Sequence, residues 1–209
     1  MLTRDPSNVA RLYTLDDLSG TSALVPATLR STLAADPTDT SAPFTGLAGG
    51  ALSMSFNPTG PVALRIVSPT GQNLRVGDPM TGNTFTDTTL ATPAPDAIAA
   101  AYTNSFPGAA STTLLVIDAG STQLMTQSPP NDGVLSPIGA LSPSLSFVGP
   151  AAFDIGGGAN GLALAALRRS GGETFSRLYR LDLATGAATE LGAGIGSGPP
   201  LRGLAIRIR

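Results

Sequence analysis

The sequence has 209 residues, enough for one domain with a substantial core. Apolar residues make up 42% and charged residues only 12%, well below the roughly 25% typical of globular domains. The 25 Gly and 18 Pro residues favour many short strands joined by turns, because both interrupt helices. The net charge is −2 and every basic residue is a dispersed Arg, so we expect no nucleic-acid partner.

The sequence contains no His, no Cys and no Lys, which excludes several kinds of site. Ser–His and Cys–His nucleophile pairs, Ser–Lys pairs and thiolate or imidazole zinc sites cannot be built. Disulfide bonds are excluded as well. The first residues, Met1–Pro6, have no apolar stretch after a basic region, so we expect no signal peptide in this chain. No apolar run approaches the length of a membrane helix.

One pattern recurs four times along the chain: Leu, two variable residues, a usually apolar residue, Asp, and then Ser or Thr near Gly. Its copies are Leu12–Gly20, Leu74–Gly82, Leu114–Thr122 and Leu178–Gly186. Residues before the Asp suit a strand, the Asp side chain accepts backbone amides to begin a turn, and Gly takes a positive φ. Each copy therefore predicts a β-hairpin. Single aspartates at this spacing lack the alternating carboxylates of a calcium loop.

Two further kinds of strand accompany these hairpins. A second hairpin strand follows each copy, at Ser22–Val25, Thr84–Thr88, Gln123–Thr126 and Ala188–Leu191. Strands of small and apolar residues lie between hairpins and after the last one, at Gly50–Phe56, Ala97–Thr103, Pro150–Ile155 and Gly203–Ile208. Small side chains suit the innermost strands of a propeller, which crowd around its axis.

These elements predict one all-β domain over residues 1–209, a small propeller-like array of about four blades, with five as the alternative. The first hairpin has no inner strand before it, and the last inner strand has no hairpin after it. We therefore expect Gly203–Ile208 to pair with the Leu12–Val25 hairpin, joining the two termini and closing the ring. The intervening segments Ala27–Thr45 and Ser128–Pro143 are predicted loops, with one helical turn at Leu29–Ala35.

Several blocks of the sequence resemble those of a known family. Ser68–Arg75 is similar to its "S-x-T-G-Q-N-L-R" signature. Further similar blocks follow in order at Ala99–Asn104, Ser111–Leu114, Thr126–Gly133, Phe153–Ile155 and Pro200–Ala205. The family is a bacterial domain of unknown function, number 4394. The resemblance implies a propeller-like β fold, often on exported proteins and hence extracytoplasmic, with no established activity. Family members usually carry another strand–hairpin unit before the segment matching Leu12–Gly20, which is why five blades remain an alternative.

Two groups of polar residues are candidates for binding. Arg65, Gln72, Asn73 and Arg75 form a dense polar set. Two arginines close across a hairpin could hold an anionic ligand or a partner's acidic loop, or could instead staple a blade through backbone carbonyls. The predicted inner strands end near Asn57, Asn104 and Asp154, whose oxygens could meet at one mouth of the ring and bind Ca²⁺. Asn57 is already explained by a turn at Asn57–Gly60.

The sequence supports two hypotheses about function. The first is a noncatalytic protein-interaction or structural module, such as an accessory subunit of a larger bacterial assembly, that binds a protein partner or itself and needs no cofactor. The alternative is a metal-dependent propeller hydrolase in which an axial Ca²⁺, held by Asn57, Asn104 and Asp154, activates a water.

Overall fold

The computed structural model describes residues 1–15, 26–91, 95–157, 161–195 and 198–206. Within these ranges the chain is all-β and forms four small sheets in a ring, a four-bladed propeller arrangement. The predicted fold class is therefore confirmed. In sequence order the strands of the first two sheets are β1 (Leu2–Arg4), β2 (Ala10–Leu15), β3 (Ala27–Thr32), β4 (Ala34–Ala35), β5 (Ser53–Asn57), β6 (Ala63–Val67), β7 (Asn73–Asp78) and β8 (Asn83–Thr86).

The third and fourth sheets complete the ring. Their strands are β9 (Ala97–Tyr102), β10 (Leu114–Asp118), β11 (Gln123–Gln127), β12 (Leu135–Ala140), β13 (Phe147–Gly156), β14 (Leu162–Arg169), β15 (Ser176–Leu181) and β16 (Ala188–Ile195). Each sheet is an antiparallel meander, and the short β4 is the exception because it joins the outer edge of the second sheet parallel to β8.

The predicted Asp hairpins form in the second, third and fourth sheets. Oδ1 of Asp78 accepts the amide of Met80 at 2.8 Å, and Oδ2 of Asp118 accepts the amide of Ser121 at 2.8 Å. Asp182 makes the same kind of turn with Ala184 at 2.8 Å. These aspartates therefore begin turns, as expected. Most of the first hairpin, residues 16–25 with its predicted second strand, lies outside the described residues.

One detail of the hairpin prediction is wrong. Gly82 and Gly186 take the expected positive φ of 81°. In the third sheet the left-handed residue is Thr122, at φ 57°, and not Gly120. The hydroxyl of Ser121 also donates to Oδ2 of Asp118, at 2.6 Å. This turn therefore has a side-chain hydrogen bond and does not need a glycine with positive φ at position 120.

Three predicted inner strands are present as β5, β9 and β13. Every residue of β9 is buried, and Ala99 and Ala101 are fully enclosed, which agrees with small residues crowding near the axis. The hydroxyls of Ser53 and Ser55 on β5 accept the amides of Ala100 and Tyr102, at 2.8 and 3.1 Å. Moving two residues along β5 moves the bonding partner two residues forward along β9, so the two strands lie side by side and run in the same direction.

Several strands arise where the sequence predicted loops or nothing. The segment Leu29–Ala35 is not a helical turn, because β3 and β4 occupy it and pair with β2 and β8. The predicted loop Ser128–Pro143 contains a 3₁₀ turn at Pro130–Asp132 and the outer strand β12. Pairing with a neighbouring strand decides these segments, and for β4 that neighbour, β8, is remote in sequence. The hairpin pattern also did not predict β6 and β14, which lie next to the inner strands of the second and fourth sheets.

Closure of the ring differs from the predicted strand pairing. The partners of β2 are β1, with Leu2 opposite Leu12, and β3, so the described part of the first hairpin does not pair with residues 203–206. Described residues 201–206 form no assigned strand, and residues 207–209 lie outside the described ranges. The C-terminal segment 201–206 instead packs beside β13, where the amide of Ile206 donates to Oδ2 of Asp154 at 2.6 Å. The termini nevertheless meet, because residues 1–4 and 202–204 line one cavity.

The apolar core is divided between neighbouring sheets. One cluster joins the first and second sheets around Leu12 and Leu64, and another joins the second and third around Val67 and Val116. The largest joins the third and fourth sheets, where the rings of Phe147 and Tyr179 meet edge to face at 5.4 Å. The C-terminal segment lies at the junction of the fourth and first sheets, where it lines a cavity.

Candidate functional site

Two arginines face each other in the middle of the second sheet. Arg65 on β6 is the direct cross-strand partner of Arg75 on β7. Both contact the carboxylate of Asp87, which follows β8: Arg65 donates through Nη1 at 2.7 Å, and Arg75 donates through Nε and Nη2 at 3.3 Å each. The guanidinium of Arg75 also lies 4.1 Å from the ring centre of Phe85. The three charged groups together carry one net positive charge.

Arg65 also connects the second sheet to the third. Its side chain is 3% exposed, and it donates to Oδ1 of Asn73 at 2.8 Å and to Oδ1 of Asn131 at 2.6 Å. Asn73 in turn donates to the carbonyls of Thr88 and Pro130, at 3.0 and 2.9 Å. The predicted stapling role is therefore present, but side-chain oxygens of Asp87, Asn73 and Asn131 hold Arg65 rather than backbone carbonyls.

The arginines border a cavity of about 320 Å³ between the second and third sheets. Its polar lining comes from Arg65, Arg75, Asn57, Asn131 and Asp132, and its apolar lining from Ala63, Tyr102, Pro129 and Pro130. A cavity of this size with a few converging polar groups suits a small ligand.

Gln72, the fourth residue of the predicted polar set, lies apart from this cavity. Its Nε2 donates to the carbonyl of Gly46 at 2.9 Å, and its Oε1 accepts the amide of Ala48 at 2.8 Å. Both contacts fix the segment that leads into β5. The structure therefore brings together Arg65, Asn73 and Arg75, while Gln72 has a local structural contact.

The three residues of the predicted calcium site each have another bonding partner. Oδ1 of Asn57 accepts the amide and the hydroxyl of Thr59, at 2.9 and 2.8 Å. Asn104, at φ 56°, donates through Nδ2 to the carbonyl of Ser111 at 2.8 Å. These are turn contacts of the kind that Asn makes in loops. Among the described residues, no three or more His, Cys, Asp or Glu side chains group as metal ligands would.

Asp154 lies on β13 beside the C-terminal segment. Burial raises the pKa of its carboxyl group, and the amides of Ile206 and Ile155 oppose that rise by hydrogen bonding to the charged form. A Cβ built on Gly156 would lie 2.6 Å from Cγ2 of Ile206, so the C-terminal segment also packs closely against the end of β13. The predicted cation ligand therefore helps to hold the chain's own C-terminal segment.

A second cavity, of about 650 Å³, lies where the first and fourth sheets meet. The C-terminal segment enters it between β5 and β13: Arg202 donates to the carbonyl of Gly50 at 3.4 Å, and the amide of Leu201 donates to the hydroxyl of Ser176 at 2.9 Å. The lining is largely apolar and includes Leu2, Leu52, Met54, Phe153 and Leu204.

Sequence reasoning missed two groups of residues that the fold brings together. Asp87 and Asn131 complete the Arg65 cluster from positions 22 and 66 residues away. The other group is an ion-pair network on the fourth sheet, formed by Arg169, Glu173, Arg177 and Glu190. Asn131 belongs to the Thr126–Gly133 block that resembles the family, which was the one available signal for it.

The comparisons with known proteins identify a family. Among the described residues, no helix is long and apolar enough to cross a membrane. No curated protein and no solved structure gave a match. Residues 6–205 match a family described as "Domain of unknown function (DUF4394)". Because this match spans nearly the whole chain and agrees with the resemblance seen in the sequence blocks, the protein belongs to the DUF4394 family.

Proposed function

We propose that the chain is a noncatalytic protein-interaction module that binds another protein chain through one end of the ring. This end is the inner-turn face, which we define as residues 56–62, 103–113, 157 and 161–162, the positions at and after the ends of the inner strands β5, β9 and β13. The observation that carries the proposal is a set of large apolar side chains exposed on this face.

The geometry of the inner strands supports the existence of a common face. A Cβ built on Gly149, near the start of β13, would lie 3.1 Å from Cβ of Ala51 and 3.3 Å from Cγ2 of Ile98. These residues precede or begin β5 and β9, so the three strands begin at the same end of the ring. Their far ends, and the turns that follow, therefore lie together at the opposite end.

The exposed apolar residues follow these strand ends. Phe56 is 52% exposed, Val62 63%, Phe106 42% and Leu162 46%. Single exposed apolar residues are common on protein surfaces, but several at one end of a domain are typical of an interaction surface. Aromatic side chains in such a position are frequent anchors of protein interfaces.

The same face carries no formal charge in its two longest segments. Residues 56–62 and 103–113 contain no Asp, Glu or Arg. Interface centres are depleted in charged residues, because a charge buried without a partner loses its hydration. An uncharged surface can also meet a second copy of itself without like-charge repulsion. A second copy of this chain is therefore the first partner to test.

The experiment compares two double variants with the unmodified protein. Phe56→Ser with Val62→Ser removes apolar area from the inner-turn face. Leu29→Ser with Met80→Ser is the control, because these side chains are 51% and 62% exposed but lie outside this face. Sedimentation velocity over a range of concentrations measures self-association, and cross-linking in the native cells detects other partners.

We expect the inner-turn variant to weaken association while the control variant associates as the unmodified protein does. The interface should bury at least about 1,000 Å². Two results together would contradict the proposal. The protein would be monomeric at high concentration, and no partner cross-linked to the unmodified protein would be lost in the inner-turn variant and kept in the control.

The proposal includes the setting that the family resemblance implies. We propose that the chain acts outside the cytoplasm of a bacterium as an accessory subunit of a larger assembly. Fractionation of the native cells, followed by detection of the chain with an antibody, tests the compartment. Recovery from the cytoplasmic fraction alone would contradict this part of the proposal and leave the interaction surface unaffected.

A further inference from the structure

We propose that the cavity between the second and third sheets, the Arg65–Arg75 cavity, binds the carboxylate of a small organic anion. The cavity is the space of about 320 Å³ bounded by β6, β7 and the segment 129–132. This inference does not depend on the interaction surface proposed above, because it concerns a different class of ligand and shares only Asn57 with the inner-turn face.

The charge of the cluster favours an anion. Asp87 is shared by Arg65 and Arg75, so one positive charge among these three groups has no carboxylate of its own. The side chains of Arg65 and Asp87 are 3% and 9% exposed, so water screens this charge poorly. Electrostatic interactions strengthen in such surroundings, and a bound carboxylate would supply the missing negative charge.

The donors of the two arginines are incompletely used. Nε of Arg65 is buried and has no hydrogen-bond partner among the described residues. Arg75 is 29% exposed, and its two bonds to Asp87 are long, at 3.3 Å, and use Nε and Nη2. Its Nη1 is therefore available to a ligand in the cavity that Arg75 lines. Guanidinium groups match planar carboxylates in shape and can bind them through two bonds.

The other walls define the shape of the ligand. Tyr102, Pro129 and Pro130 supply apolar surface opposite the charged groups. The amide groups of Asn57 and Asn131 also line the space. A compact ligand with a flat apolar body and one carboxylate fits this combination. The volume lies near the lower end of the range for small-molecule sites, which favours a small molecule over a protein loop.

One lining residue opposes anion binding. Asp132 carries a carboxylate and lies in an exposed position on the 129–132 segment. Water and salt screen an exposed charge more effectively than the buried charges of Arg65 and Asp87. The positive charge shared by buried Arg65 and partly exposed Arg75 should therefore outweigh that of Asp132, and removal of the Asp132 charge should strengthen binding.

The probes are benzoate and its neutral analogue benzamide, which share an aromatic body and differ in the charge of the head group. Ligand-observed NMR titration of the folded, full-length protein gives an apparent Kd for each. We expect benzoate to bind at least about tenfold more tightly than benzamide, the factor that one charge-assisted hydrogen bond supplies.

Three variants test the residues. Arg75→Gln should weaken benzoate binding about tenfold or more, whereas Arg75→Lys, which keeps the charge, should recover part of the loss. Asp132→Asn should strengthen binding. Arg11→Gln is the matched control, because Arg11 also pairs with an aspartate, Asp5 at 2.9 Å, but lies on the first sheet. Circular dichroism and thermal melting establish that each variant is folded.

The proposal fails if benzoate and benzamide bind equally, if neither binds at millimolar concentration, or if Arg11→Gln weakens binding as much as Arg75→Gln. Equal effects of Arg75→Gln and Arg11→Gln would mean that benzoate binding depends only on the net charge of the protein. Loss of binding in the Phe56→Ser with Val62→Ser variant would also contradict it, because those residues do not line the cavity.

Discussion

Arg65 and Arg75 are direct cross-strand partners that carry the same charge. Like charges placed opposite each other on neighbouring strands normally destabilise a sheet. The carboxylate of Asp87 contacts both guanidinium groups and converts this repulsion into a shared ion pair. The stability of the second sheet should therefore depend on one carboxylate.

Asp87→Asn tests this dependence. The substitution leaves two facing arginines, one of them buried, and we expect the free energy of unfolding to fall by about 3–5 kcal/mol. Chemical denaturation measures the change. Asp5→Asn, which removes the exposed partner of Arg11, should have a much smaller effect. Adding Arg75→Gln to Asp87→Asn should restore part of the stability, and a strictly additive double variant would contradict the shared pair.

Asp154 should make stability depend on pH. Burial raises its pKa in the folded state, so the folded protein holds this proton to higher pH than the unfolded chain does. The contribution of Asp154 to stability is therefore greatest at low pH and declines as pH rises from the ordinary Asp value through the raised pKa. Asp154→Asn should remove this decline, because Oδ1 of Asn can still accept the amide of Ile206. Denaturation midpoints of the unmodified protein and of Asp154→Asn, measured across this pH range, test the prediction. A parallel loss of stability in the two proteins would contradict it.

Deletion of residues 201–209 tests the closure of the ring. Leu201, Leu204 and Ile206 are each partly buried, and losing about 1 kcal/mol of apolar burial from each should lower stability by about 3 kcal/mol. Thermal melting of the shortened protein measures the loss. A shortened protein that melts as the full chain does, but no longer associates, would instead identify the C-terminal segment as an assembly contact.

Metal removal separates the two functional hypotheses. Asn57, Asn104 and Asp154 already have protein partners, so we expect neither added Ca²⁺ nor EDTA to change the melting temperature. A bound Ca²⁺ well above its Kd would stabilise the fold by a few kcal/mol. An increase in melting temperature with Ca²⁺ that Asp154→Asn abolishes would therefore favour the hydrolase hypothesis over the interaction module.

Much of the ring could be predicted because its units repeat. The Asp turns at Asp78, Asp118 and Asp182 use bonds within a few residues, so the local sequence contains all the information they need. The inner strand β9 was equally evident from its unbroken run of small residues. Strands β3 and β12 were missed because they lie in stretches of sequence rich in polar residues or Pro, and they become strands by pairing with a neighbour.

The candidate site was only partly predictable for a similar reason. The spacing of Arg65 and Arg75 placed them on adjacent strands, and the density of polar residues marked Asn73. Asp87 and Asn131 are drawn in by the packing of two sheets, which no local pattern encodes. Gln72 shares the same sequence block but lies just before β7, and its side chain bonds to the segment around Gly46 instead of the cavity.

The bond from Arg202 to the carbonyl of Gly50 spans 152 residues of chain. During synthesis the second and third sheets can form from residues that have already emerged, because their strands are neighbours in sequence. The contacts of the C-terminal segment with β13 and Gly50 must wait until residues 201–206 have left the ribosome. Such distant contacts form slowly because a long loop must close first. The nascent domain therefore passes through a stage in which three sheet-to-sheet clusters can be in place while the C-terminal segment has not yet packed against the apolar walls of the fourth junction.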